Sequence, residues 1–163
     1  MKKHFWIVAL CLICAFLIFA NIFDGVYIGM TYDDFMERYP PSDSIDIGCS
    51  EKSCFTILNY AFYTDKLGNP VIATFDKDHR ISRIDSFKKR KIDLSAETFN
   101  KISEGMTIYE VAAMVGVPYT TATSGMFTLV FHAQDEGRYV ICFTTQHPVQ
   151  VLSVKYEPPV NSA

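Results

Sequence analysis

The chain has 163 residues, a length that fits one compact domain or two very small ones. It carries 18 acidic and 15 basic residues, which gives a net charge of −3. Lys2 and Lys3 are the only charged residues before Asp24, so the remainder has 18 acidic and 13 basic residues and a net charge of −5. This acidic balance argues against a nucleic acid as partner.

The N-terminus carries an uncharged, apolar segment over residues 5–23, directly after Lys2 and Lys3. A short basic region followed by an apolar run is typical of an export signal. About 19 apolar residues are also enough to span a bilayer, so cleavage after Ala20 and retention as an anchor both stay open. We therefore predict an extracytoplasmic protein that is secreted or membrane-anchored, with residues 5–23 contacting the membrane if they are not cleaved.

Two cysteines, Cys49 and Cys54, stand close together in the predicted exported part. Because an exported chain meets an oxidising compartment, we predict a Cys49–Cys54 disulfide that closes a small loop. The stretch contains no histidine, so no metal site is predicted there. Cys142 lies in an apolar run, Tyr139–Phe143, and is interpreted as a core thiol.

An internal repeat follows the apolar segment. Residues 29–36 (GMTYDDFM) match residues 105–112 (GMTIYEVA) at an offset of 76. Each copy offers a threonine that can cap a helix and an acid three residues later, as in a capping box. The two pairs are Thr31 with Asp34 and Thr107 with Glu110. The pattern predicts a helix in each copy, ended by Pro40 in the first and by Gly116 in the second.

The remaining elements follow in chain order. A short helix capped by Ser95 precedes the second repeat helix, and in the first copy its counterpart falls near Phe23 and Val26. Alternating apolar runs predict strands over 55–64, 71–75, 80–87, 127–133, 139–144 and 149–156. The predicted fold is α+β: two tandem helix–helix–antiparallel meander units after an N-terminal apolar helix. The predicted boundaries are 1–23 for the signal or anchor, 24–90 and 91–158 for the two units, and 159–163 for a tail.

The exported part lacks the motifs of common enzymes and metal sites. It has no Gly-x-Ser-x-Gly, His-Glu-x-x-His or Cys-x-x-Cys pattern, so we predict a non-enzyme without cofactor or metal. A Cys-dependent hydrolase with a Cys142–His132 dyad is a remote alternative, because both residues fall in adjacent predicted strands. The basic run Lys88–Lys91 is interpreted as a solvated linker rather than an anionic-lipid contact.

Aromatic residues are abundant, with 9 Tyr and 13 Phe. Residues 60–63 place large rings on both faces of a strand. One face would pack on helices, and the other would form an open aromatic surface for a protein partner. The alternative is that the rings fill the core or that one unit's sheet covers the other. The candidate binding residues are Tyr60, Phe62, Phe131, His132 and Tyr139.

The Gly-Met-Thr at 29–31 and 105–107, the Gly-x-Pro at 116–118 and the following meander resemble the BamE/SmpA-like lipoprotein fold. The tandem duplication resembles the β-lactamase inhibitory protein family, which shares that fold. This resemblance implies an extracytoplasmic binding protein, either an outer-membrane assembly accessory or an enzyme inhibitor. We therefore predict a non-enzymatic exported protein that engages another protein through its sheet face and hairpin loops. The alternative is a membrane-tethered structural or assembly factor of the cell envelope.

Overall fold

The computed structural model describes residues 25–42, 54–121 and 127–159. The fold is α+β, with two four-stranded antiparallel sheets and few helices. The apolar segment 5–23 lies outside the described residues. Within the described ranges, no helix has the length and apolar character needed to cross a bilayer.

The first sheet is an antiparallel meander preceded by helix α1, Tyr32–Arg38. Its strands are β1 Cys54–Ile57, β2 Tyr60–Thr64, β3 Pro70–Phe75 and β4 Ile81–Ser86. The single strand predicted over 55–64 is wrong, because a two-residue turn at Leu58 and Asn59 divides it. This turn is fixed to β3: the Phe75 amide donates to the Asn59 carbonyl at 2.8 Å, and the Asn59 side-chain amide donates to the Phe75 carbonyl at 3.2 Å.

The second sheet follows a 3₁₀ turn, Lys89–Lys91, and two helices, α2 Ala96–Phe99 and α3 Ile108–Val115. Its strands are β5 Thr120–Thr121, β6 Phe127–His132, β7 Arg138–Phe143 and β8 Val151–Glu157, again in meander order.

The predicted helix starts are confirmed. The Thr31 hydroxyl accepts from the Asp34 amide at 3.2 Å, and the Thr107 hydroxyl accepts from the Glu110 amide at 3.3 Å. Only the second box is reciprocal, since the Glu110 carboxylate also accepts from the Thr107 amide at 2.7 Å. Ser95 caps α2, as predicted. The short helix predicted near Phe23 and Val26 is wrong over its described part, because residues 25–30 contain no helix.

The two halves attach their Gly-Met-Thr segments to the sheet by corresponding hydrogen bonds. In each half the Gly amide donates to a residue early in the last strand, that residue's amide donates back to the Met carbonyl, and the residue before it donates from its side chain to the Gly carbonyl. In the first half, the Gly29 amide lies 2.7 Å from the Ile81 carbonyl, the Ile81 amide 2.9 Å from the Met30 carbonyl, and the Arg80 side chain 2.9 Å from the Gly29 carbonyl. In the second half, the same distances are 3.0 Å from Gly105 to Val151, 2.8 Å from Val151 to Met106, and 2.8 Å from Gln150 to Gly105. Each last strand pair also has a register shift in the same place, before Phe75 and before Phe143.

The core consists of two clusters, one on each side of the first sheet. The smaller cluster joins α1 to one face of the sheet and includes Phe35, Tyr39, Tyr63 and Phe75. The larger cluster contains α2, α3, one face of the second sheet and the opposite face of the first sheet. The first sheet is therefore buried on both faces.

The contact between the halves combines rings with polar groups. Tyr60 stacks on Phe127, with ring centroids 6.1 Å apart. The hydroxyls of Tyr109 and Thr74 lie 2.8 Å apart, and the Arg83 guanidinium lies 3.8 Å above the Tyr109 ring. Burial, and to a smaller extent the neighbouring Tyr109, raises the pKa of Tyr60 to about 12. The tyrosine is thus held neutral inside the contact.

Candidate functional site

Four of the five predicted binding residues are core residues. Tyr60 and Phe62 are 2% and 0% exposed because the second half covers them, and Phe131 and Tyr139 are 2% and 5% exposed. Tyr139 stacks on Phe99 of α2, with ring centroids 3.8 Å apart. The prediction that these four form an open binding face is wrong. The alternative, that the rings fill the core, is confirmed for them.

His132, the fifth predicted residue, is exposed at the end of β6. It stacks on Tyr119 with ring centroids 3.8 Å apart and planes 12° from parallel. Its strand partner Arg138 donates to Glu157 at 2.7 Å. This surface is a polar cluster around one aromatic stack, not an aromatic sheet face.

The Cys142–His132 dyad does not form. Cys142 pairs with Thr128, its Sγ 3.5 Å from the threonine Oγ1, whereas His132 pairs with Arg138. Four strand positions separate the two pairs, which corresponds to roughly 13 Å along the sheet. A thiol and an imidazole at that distance cannot exchange a proton directly.

Cys54 is buried beneath the end of α1. Its Sγ donates to the Tyr39 carbonyl at 3.1 Å, and burial raises the pKa of this thiol to about 12. A free thiol in this setting would be unreactive at neutral pH. Cys49 lies outside the described residues, so the Cys49–Cys54 disulfide stays a prediction.

One opening on the described surface lies at one end of the first sheet. A cavity of about 620 Å³ forms there between the start of α1, the β1–β2 turn and the β3–β4 turn. We call it the Leu58 cavity. Its lining residues are Thr31, Tyr32, Asp33, Leu58, Asp78 and His79.

Local hydrogen bonds join two of these segments, the β3–β4 turn and the start of α1. The Asp76 carboxylate closes the β3–β4 turn by accepting from the amides of Asp78 at 2.9 Å and Arg80 at 3.0 Å. The His79 carbonyl then accepts from the Tyr32 amide at 2.9 Å, which joins the turn to α1. The turn and the helix start therefore form a preorganised wall, with the β1–β2 turn opposite it.

Leu58 is the most unusual residue of this cavity. Its side chain is 61% exposed, and its φ of 53° is costly for a residue with a branched side chain. His79, on the facing turn, has a φ of 55°. Among the described residues, only Glu136 shares this conformation without being a glycine. Two facing turns with left-handed backbone and an exposed leucine at an opening make this region a candidate contact surface.

The rim of the Leu58 cavity is acidic. Asp33 and Asp78 line it, and both residues are exposed. The Tyr32 ring packs edge-on against Phe75 at 5.1 Å and forms part of the cavity's apolar wall. The cavity thus offers apolar contact area with carboxylates at its edge.

A smaller cavity of about 260 Å³ lies at the β6–β7 turn, next to α2. Asp135 there accepts a 2.5 Å hydrogen bond from the Tyr156 hydroxyl. This bond raises the pKa of Tyr156 to about 12 and lowers the pKa of Asp135. Because its carboxylate already has a partner, Asp135 serves to fix the turn to β8.

Within the described ranges, no three His, Cys, Asp or Glu side chains are close enough to hold a metal ion. Comparison of the chain with protein-family models, curated proteins and solved structures finds no significant match. The sequence interpretation missed Leu58, because FTILNYAFYT follows the pattern of one continuous strand. Asn59 was its only signal, as asparagine is common in turns.

Proposed function

We propose that the chain is a non-enzymatic exported binding protein that engages another protein through the hairpin turns at the Leu58 cavity. The observation that carries this proposal is Leu58 itself, an exposed apolar side chain at a strained position on a preorganised cavity. The two-residue β1–β2 hairpin imposes this φ, but it gains nothing from an exposed apolar side chain, and binding residues are often carried on such turns. The hairpin turns, rather than the sheet faces, are therefore the surface we assign to the partner.

The lining of the cavity indicates the chemistry of that partner. Leu58 and the ring of Tyr32 suit an apolar anchor side chain, and Asp33 and Asp78 suit flanking lysine or arginine. The expected partner segment has an apolar residue next to basic ones. Rim charges of this kind affect the association rate and the choice of partner more than the affinity.

We further infer that the halves are tandem copies of a BamE-like unit, arranged as in the β-lactamase inhibitory protein family, after an N-terminal apolar helix. The corresponding hydrogen bonds of Gly29 and Gly105 and the matched register shifts support a duplication. The alternative function, a membrane-tethered structural or assembly factor, is favoured by the apolar segment 5–23, which suits an anchor.

Site-specific photocrosslinking in the native host tests the binding proposal. A photoreactive amino acid at position 58 should give a discrete protein adduct, and the same amino acid at position 152 should not. Leu152 is a suitable control because it is 48% exposed but lies in β8 of the other sheet. Replacing Asp33 and Asp78 by asparagine should weaken the adduct from position 58.

Equal labelling from positions 58 and 152, or an adduct indifferent to the asparagine replacements, would remove the Leu58 cavity as the binding site. Folding of each variant is checked by circular dichroism. Since Asp33 and Asp78 are exposed, their replacement should leave the fold intact.

A further inference from the structure

The described part of the chain begins toward one end of the first sheet, which we call its entry point. Gly25, the first described residue, lies against the guanidinium of Arg38, the last residue of α1. Just beyond α1, the Pro40 carbonyl accepts from the amide of Cys54 at the start of β1. Cys54 pairs with Tyr63, two residues before the β2–β3 turn. The entry point and the β2–β3 turn therefore share one end of the sheet, opposite the Leu58 cavity.

The β2–β3 turn presents an exposed leucine on a rigid frame. Leu67 is 67% exposed. Its amide donates to the Asp65 carboxylate at 2.8 Å, and the Asn69 amide donates to the same oxygen at 2.9 Å. Lys66 precedes the leucine and is exposed. The buried Asp65 thus holds a turn whose tip is one apolar and one basic side chain.

The basic run Lys88–Lys91 lies beside this turn. The Lys89 amide donates to the Asn69 side chain at 3.3 Å, and the Lys89 Nζ lies 4.0 Å from where a Cβ on Gly68 would be. All four side chains of the run are exposed, and none forms an ion pair with another described residue. With Lys66, five of the 13 basic residues that follow the apolar segment gather at this end. We call Lys66, Leu67 and Lys88–Lys91 the basic end.

We propose that the basic end docks on an anionic phospholipid bilayer, with Leu67 inserted at the interface and the lysines and arginine around it on lipid phosphates. Clustered cations beside an exposed apolar side chain fit this surface, because each cation gains attraction to anionic lipid while the leucine leaves water. The apolar segment ends at Phe23, and only Asp24 separates it from Gly25. A segment that stays in the membrane would therefore hold Gly25, toward the same end of the sheet as the basic end, within about 7 Å of its own exit point.

The opposite end of the sheet has a net negative charge. Asp33, Asp34, Asp76 and Asp78 are exposed there together with Lys77 and Arg80, which gives 2 − 4 = −2, and an anionic surface would repel this net charge. Docking by the basic end therefore orients the Leu58 cavity away from the membrane. This inference concerns the orientation of the chain and does not depend on the protein-binding proposal.

Tryptophan quenching by brominated lipids tests the orientation on the full chain. Trp6, the only tryptophan, is replaced by phenylalanine, and a tryptophan is introduced by Leu67→Trp or, as the matched control, Leu58→Trp. Both leucines are exposed and lie in turns of the same sheet. The chains are reconstituted into brominated phosphatidylcholine vesicles with or without phosphatidylglycerol. We expect strong quenching at position 67 when phosphatidylglycerol is present, and little at position 58 in either lipid.

A variant that lacks one positive charge distinguishes docking on anionic lipid from mere nearness of the turn to the bilayer. Adding Lys89→Gln to the Leu67→Trp chain should lower the docked-to-undocked ratio about fivefold, because one surface cation is worth about 1 kcal/mol. Lys101→Gln, a lysine of the second half that pairs with Glu97, should leave the ratio unchanged. The unaltered chain, with Trp6 as reporter, establishes whether the apolar segment itself has inserted.

Two results would overturn the proposal. One is equal quenching at positions 67 and 58. The other is quenching at position 67 that neither phosphatidylglycerol nor Lys89→Gln changes, since contact would then need no anionic lipid. A crosslinked protein adduct at position 58 could persist in either case, so the two proposals fail independently.

Discussion

The two sheets share one register but differ in which faces they bury. The β2–β3 and β6–β7 turns each span five residues, 65–69 and 133–137, so strand positions correspond at an offset of 68. Phe62 therefore corresponds to Val130, and Ile72 to Val140. The first sheet is buried on both faces, whereas in the second sheet Val140 and Cys142 on the outer face are only half-buried.

The side chains differ accordingly. On the first sheet, the face toward the other half carries Tyr60, Phe62 and Ile72, and the corresponding residues of the second sheet are Thr128, Val130 and Val140. Large rings appear where the other half covers the sheet. Thr128 and Val130 on β6 are also buried, at 2% exposed each, whereas Val140 on β7 is half-buried. The outer face of the second sheet is therefore covered only in part.

The two halves also differ in whether the helix or the sheet supplies the larger side chain to their contact. In the first half, Phe35 of α1 shares its cluster with Ala61 and Ala73 of the sheet. In the second half, Val111 of α3 shares its cluster with Leu129 and Ile141, which occupy the same sheet positions. A large helix residue over small strand residues is replaced by the reverse. Facing side chains of unequal size therefore interdigitate in both halves, as close packing requires.

The largest expected effect tests whether the first sheet is a true middle layer. Phe62→Ala should lower the free energy of unfolding by about 3–5 kcal/mol, because it opens a cavity between the halves. Val140→Ala, at the position corresponding to Ile72 on the outer face, should cost about 1 kcal/mol, since that side chain is only half-buried. Urea denaturation of both variants measures the difference. Similar losses would contradict the middle-layer assignment.

The second prediction tests the contact between the halves by measuring stability at alkaline pH. Tyr60 has its pKa raised to about 12 by burial, against about 10 in an unfolded chain, so the fold favours its neutral form. The contribution of neutral Tyr60 to the free energy of unfolding is complete below pH 10 and is lost as the pH rises from 10 toward 12. At pH 11 the loss is on the order of 1 kcal/mol. Tyr60→Phe should remove this part of the alkaline destabilisation, as measured by urea denaturation at pH 9 and pH 11.

The tyrosines of the second sheet contribute equally to the parent chain and to the Tyr60→Phe variant, so the difference between the two isolates Tyr60. If both chains lose the same stability between the two pH values, Tyr60 is solvated in the native state and the contact between the halves is looser than the structure indicates.

The smallest effect compares the repeat helices. Glu110→Ala should cost up to about 1 kcal/mol, since it removes the carboxylate that accepts from the Thr107 amide and completes the capping box of α3. Asp34→Ala should cost less, because the Asp34 carboxylate does not accept from the Thr31 amide as Glu110 does from Thr107. Thermal denaturation of the two variants ranks them. The reverse order would mean that α1 depends on its cap more than its contacts indicate.

The repeat helices and the meanders could be predicted from the sequence because their signals are local. Thr31, Ser95 and Thr107 satisfy helix amides only a few residues away, and Gly116 ends α3 with a φ of 81° that glycine adopts readily. The turn at Leu58 could not be predicted in the same way. Its leucine has no turn preference, and its φ is imposed by the pairing of β1, β2 and β3.

By itself the sequence determined the α+β class, the starts of the three described helices, and the strands other than the division at Leu58 and the short strand β5. The apolar segment 5–23 also predicts an extracytoplasmic protein that is secreted or membrane-anchored, which stays a prediction. Only the tertiary structure decided which strand faces are buried, where the Leu58 cavity forms and which residues share the basic end. The reason is that strand alternation defines two faces without saying what covers either. For Tyr60 and Phe62 the cover is the second half of the chain, more than 30 residues away along the sequence.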